Sequence, residues 1–194
     1  RSNGLAFWLD FSATPKDQNG TYFSWIICDY PLAQAVEDKI VKQPLIVHLV
    51  DRDDPEKITK ENVVQVYGEW LAAAITRLRA HEETYEKFGI KPVLFIMADK
   101  TQHADAIGTW MVDTKELGFK KEEILVIHTN GAGEIISKDL DRARELSNTI
   151  DEPGNKVKVI VSVLVLREGW NVRNVTVVLG LRPMNSSARI LPEQ

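Results

Sequence analysis

Apolar positions gather most densely near the end of the chain, in two runs at 157–166 and 172–181 that enclose the polar insert Arg167-Glu168-Gly169-Trp170-Asn171. Both runs are rich in Val and Ile, and neither alternates apolar with polar residues. That is the pattern of strands buried on both faces of a parallel sheet. The insert falls where the chain leaves one buried strand for the next, and open α/β sheets place ligands at such strand ends. Residues 162–171 are therefore expected to form a functional loop on a sheet scaffold. The alternative is a plain buried hairpin or crossover in which Trp170 packs as an anchor.

The rest of the chain shows the same rhythm. Residues 5–11 (LAFWLDF) read as a short buried strand, followed by Ser12-Ala13-Thr14-Pro15 and a polar turn at 16–20. Residues 21–30 (TYFSWIICDY) are strand-like, and Pro31 opens a short helix over 32–41. A further strand is expected at 45–50 and an acidic surface loop at 51–56. Thr59 is placed to cap the longest helix, 60–88, whose apolar residues fall at 63, 67, 70, 74, 78, 85 and 88. Gly89 is placed to end it. Strands then follow at 93–98, 124–128, 157–166 and 175–181, with helices at 101–117 and 137–150 between them. Alternating strands and helices predict a parallel sheet with crossover helices.

Candidate chemistry is sparse. His81-Glu82-Glu83-Thr84-Tyr85 begins like a zinc-protease motif but carries Tyr where the second His belongs, and the histidines at 48, 81, 103 and 128 are scattered. No metal site is expected. Gly131-Ala132-Gly133 lacks the third glycine of a dinucleotide fingerprint, so it reads as a turn. No GxxxxGK[ST] phosphate loop occurs. The 194 residues are 44% hydrophobic and 27% charged, ample for a core, and the net charge of −4 excludes a basic nucleic-acid-binding domain by composition. The single cysteine, Cys28, lies in an apolar run and is expected to be a small buried hydrophobe in a cytosolic, cytoplasmic protein. No apolar run reaches the length of about 18 residues that a membrane span needs. The chain starts at Arg1 on a strand already under way and stops at Gln194, so it is expected to be a fragment of a larger protein.

Several segments together resemble a known family. Phe11-Ser12-Ala13-Thr14-Pro15 looks like motif III of superfamily-two helicases, and Tyr30-Pro31-Leu32-Ala33-Gln34-Ala35-Val36-Glu37-Asp38 resembles their entry into the second RecA-like domain. Ser162 to Val172 (SVLVLREGWNV) resembles motif V, and the ending Ser187-Ala188-Arg189-Ile190-Leu191-Pro192-Glu193-Gln194 resembles the lead-in to motif VI, with Gln194 as its first residue. The whole pattern is most similar to the Res subunit of type III restriction enzymes. It departs from the family at Asn171, where Asp is more usual.

The resemblance implies an α/β fold in which 1–20 end a first RecA-like domain and 21–194 form a second, a RecA-like parallel sheet flanked by helices and truncated at motif VI. It implies a role within an ATP-dependent DNA helicase or translocase that is also a site-specific endonuclease, with ATP and Mg²⁺ as cofactors. The expected partners are double-stranded DNA and a methyltransferase (modification) subunit. Ser12, Ala13 and Thr14 would couple the ATP site to the domain interface, while Arg167, Glu168, Gly169 and Asn171 would approach the nucleotide. Lys100, Thr129, Asn130, Ser162 and Val163 would hold the DNA backbone. The phosphate loop, the acidic Mg²⁺ motif and the arginine finger would belong to other parts of the enzyme, leaving this fragment inactive by itself. A different expectation stands beside this one: a non-catalytic α/β module that binds a partner or a nucleotide-like ligand.

Overall fold

Val93–Met97 (β1) and Val159–Ser162 (β3) consist of apolar residues up to their last positions, and they pair side by side in parallel, Leu94 opposite Val159 and Met97 opposite Ser162. They are the centre of a computed structural model that describes residues 9–12, 15–17, 21–43, 45–46, 57–127, 149–152, 154–163 and 172–181. Ile124–Ile127 (β2) lies beside β3 and Val175–Gly180 (β4) beside β1, giving a four-stranded, all-parallel sheet in the order β2-β3-β1-β4. The helices described below flank it, so the α/β fold with a RecA-like parallel sheet is observed.

The chain divides into two compact units, Arg1–Asp51 with Leu191–Gln194, and Arg52–Ile190. In the second unit, Val63–Val66 (α2) and Gly68–Tyr85 (α3) replace the single expected helix. The break is Tyr67, whose φ of −99° and ψ of 12° leave the helical region. The buried stripe accordingly runs through Val63, Leu71, Ala74, Ile75 and Leu78, while Phe88 at the far end is 63% exposed. Gly89 ends the following 3₁₀ turn, Glu86–Phe88, with a left-handed φ of 64° that favours glycine. Thr101–Asp113 (α4) buries His103, Ala104, Ile107, Gly108 and Met111, the face presented by spacings of three and four.

These helices pack on one face of the sheet, against Leu94, Ile96, Val159, Val161 and Leu179. The other face, Val93, Phe95, Leu125, Ile127 and Ile160, packs with Ile150. β1 and β3 are thus covered on both sides, as their unbroken apolar sequences require. β4 differs from its expectation as a doubly buried strand. Among the described residues it pairs with β1 alone; Leu179 faces the helices, and Val178 on the opposite face is 59% exposed. The expected helix over 137–150 lies outside the described residues up to 148, as do the acidic loop at 51–56 and the turn at 129–133.

The first unit corrects several expectations. Residues 21–30 form no strand: their only ladder contact is an isolated antiparallel bridge between Lys16 and Tyr22, and Trp25 is 89% exposed. Cys28 is exposed rather than buried, because the run around it has no sheet to join among the described residues. The helix expected over 32–41 is Leu32–Glu37 (α1) and stops early. The Ile40 N–H bonds the Ala35 carbonyl at 2.9 Å and the Lys39 N–H bonds the Val36 carbonyl at 3.0 Å, a Schellman closure with Lys39 at φ 62°. Of the strands expected at 5–11 and 45–50, positions 9–11 and 45–46 are described and are not strand; the remainder lies outside the described residues.

Gly108 lets α4 approach β2 closely: a Cβ there would stand 2.6 Å from Val126 Cγ2, and the β-branched Val126 has little rotamer freedom to yield. A glycine-to-alanine change inside a helix ordinarily stabilises it by up to about 1 kcal/mol. Here overpacking reverses the sign, and Gly108→Ala is expected to destabilise by about 1–3 kcal/mol. Urea unfolding monitored by circular dichroism checks this. Adding Val126→Ala to Gly108→Ala should recover part of the loss, and an unchanged midpoint in the single variant would refute the close packing.

Candidate functional site

The order of the strands sets the site. β1 connects through α4 to β2, passing β3, whereas β3 connects to β4, passing β1. The two connections lead from adjacent strands to opposite sides of the sheet, and in open α/β sheets the carboxyl ends of strands at such a switch point are where ligands bind.

Backbone bonds carry the ladder one residue beyond the strands at this edge. The Ala98 N–H donates to the Ser162 carbonyl and the Leu181 N–H to the Met97 carbonyl, each at 2.8 Å. The chain then turns through Asp99 and Lys100 into α4. Lys100 occupies the N-cap in an extended conformation (φ −137°, ψ 151°) with no side-chain cap, and its carbonyl accepts the His103 and Ala104 N–H groups at 3.0 Å. The amino end of α4, with its partial positive charge, therefore opens at the same edge as the exposed Lys100 ammonium. Both favour an anionic group there, and helix amino termini are common phosphate sites.

Of the residues singled out in the sequence, Lys100, Ser162 and Val163 come together at this edge. Ser162 is fully buried and registered opposite Met97 on one side and Ile127 on the other. Val163 packs against the helix-side core. Ser12 is exposed and belongs to the first unit. Ala13, Thr14, Thr129, Asn130, Arg167, Glu168, Gly169, Asn171 and Gln194 lie outside the described residues. By chain order, Thr129 and Asn130 follow the carboxyl end of β2, and the 167–171 insert follows the carboxyl end of β3.

Sequence reasoning missed His103. It is 4% exposed on the first turn of α4, and burial pushes its imidazole below the usual histidine range, the Lys100 charge adding to this and Asp99 opposing it. The signal was present: position 103 shares a helical face with Ala104, Ile107 and Met111. Scanning histidines for metal-ligand spacing hid that periodicity.

The amino edge of the sheet has a different character, because its charges are compensated from within. Lys158 lies 3.0 Å from Glu82 on α3 and 3.3 Å from Glu123 before β2, and these bonds outweigh burial to raise its pKa. Asp151 accepts the Arg173 N–H at 2.9 Å and the Asn174 N–H at 3.0 Å, fixing the segment that enters β4. Lys91 donates to the Asn155 carbonyl, and Asn155 Oδ1 accepts the Val157 N–H at 2.9 Å. Burial holds the Lys91 ammonium below the usual lysine range. These bonds hold the strand entries in place.

No protein-family model matches the chain, and no curated protein matches it. The class of protein is defined by the fold itself: an α/β domain with a RecA-like parallel sheet flanked by helices. No helix among the described residues is long and apolar enough to cross a membrane. Among those residues no group of three or more His, Cys, Asp and Glu is placed to hold a metal ion.

Two predictions follow from the two edges. A base whose folded pKa is depressed contributes stability that is complete above its unfolded value, about 6.5 for histidine, and is lost as pH falls toward the folded value. Wild-type protein should thus lose stability from pH 7 to pH 5 more steeply than His103→Leu. Parallel denaturation curves across that range would refute the burial of a neutral imidazole. At the amino edge, Asp151→Ala leaves two backbone donors without their acceptor and should cost about 1–3 kcal/mol by urea unfolding. Asp151→Asn, which keeps an acceptor oxygen, should cost less.

Proposed function

We propose that this chain is part of an ATP-dependent DNA translocase, its second RecA-like domain, and most specifically part of the restriction subunit of a type III restriction-modification enzyme. The observation that carries the reading is the meeting of Lys100, the amino end of α4 and the end of β3 at one switch-point edge. The strand that ends there is also the one whose sequence runs on into the Arg167-Glu168-Gly169-Trp170-Asn171 insert. In this reading the edge takes the sugar–phosphate backbone of duplex DNA. Backbone contacts position a protein without reading sequence, as a motor that moves along DNA requires. Site choice then falls to a methyltransferase partner, and cleavage to a nuclease domain of the larger enzyme.

A net charge of −4 is compatible with this because the positive potential is local: one lysine and a helix end at one sheet edge rather than a basic surface. ATP with Mg²⁺ needs a phosphate loop and a metal-binding carboxylate motif. This sequence has no such loop, so these residues alone do not fit the nucleotide, and its binding is assigned to the remainder of the enzyme. Ser12 and Thr14 would couple that site to the domain interface, and Gly169 and Asn171 would approach the nucleotide from this side. The reading places the protein in the cytoplasm, where its DNA would be found.

The test measures ATP hydrolysis by the intact parent enzyme, with and without duplex DNA, beside this chain alone. DNA-stimulated turnover in the parent and none in the chain is the expected result. Absence of turnover in both would discard the motor in favour of a binding module. Gly169→Glu in the parent should abolish DNA-stimulated turnover while leaving the unfolding midpoint in place, and wild-type turnover in that variant would remove the motif V assignment. Lys100→Ala should weaken duplex binding by the parent alike for unrelated sequences and lower the slope of log K against log salt by about one. An unchanged slope would remove Lys100 from the interface.

A further inference from the structure

We draw no further inference here: the strongest candidate, the exposed apolar surface patch of the first unit around Phe11, Trp25, Ile27 and Ile46, carries nothing because nothing in the structure shows what covers it.

Discussion

Burial of β1 and β3 on both faces is the constraint from which the second unit follows. Strands with no wet face must find apolar cover above and below and hydrogen-bond partners on both sides. β1 finds its partners in β3 and β4, and β3 in β2 and β1. Leu94, Ile96, Val159 and Val161 turn to the helices, while Val93, Phe95 and Ile160 turn to the opposite face. Parallel pairing then forces every connection to cross the sheet, and each crossover must lie on one of its two faces. The switch point between β3 and β1 is a by-product of that packing, since β1 leads to one side of the sheet and β3 to the other.

The two ends of the sheet have become chemically different for the same reason. Crossover helices of a parallel sheet begin near strand carboxyl ends, so the positive end of α4 and the N-cap Lys100 arrive there together. At the amino end, the chain entering each strand carries polar groups that are only partly solvated, and it satisfies them internally. Lys158 with Glu82 and Glu123, Asp151 with two backbone amides, and Lys91 with Asn155 do this work. An edge stabilised by its own partners holds the scaffold. At the other edge the amino end of α4 and the exposed Lys100 ammonium stand beside the Asp99 carboxylate, and the proposed function rests on the first two.

Much of this was legible in the residues. The strands at 93–97, 124–127, 159–162 and 175–180 fall inside the expected runs because continuous Val and Ile segments have few other places to go. Gly89 and the start of α4 at Thr101 were readable from local conformational preference and periodicity, whereas the helix expected to reach 117 ends at Asp113, where Thr114 turns extended. Of the candidate residues, Lys100 stands just past the end of an apolar run, whereas Ser162 and Val163, named on the family resemblance, lie where β3 ends inside a longer apolar run. The misses share a cause. The run at 21–30 has strand composition, but a strand exists only with a partner, and composition names none. His103 was weighed by its chemistry rather than by its helical face. Tyr67 broke a helix whose apolar spacing continues across the break.

The amino-acid sequence by itself determined an α/β domain, the number and order of its apolar strands in the second unit, and a polar insert on the connection leaving one of them. Those are properties of composition and periodicity, which act locally along the chain. Only the tertiary structure decided the spatial order β2-β3-β1-β4, and with it which strand ends adjoin and which face of β4 stays open. It also decided that Gly108 must admit Val126 and that burial holds a histidine on α4 below its usual pKa range. Pairing between strands about 30 to 80 residues apart depends on how helices of fixed width cover both faces of one sheet. That is a global packing condition, and no local pattern encodes it.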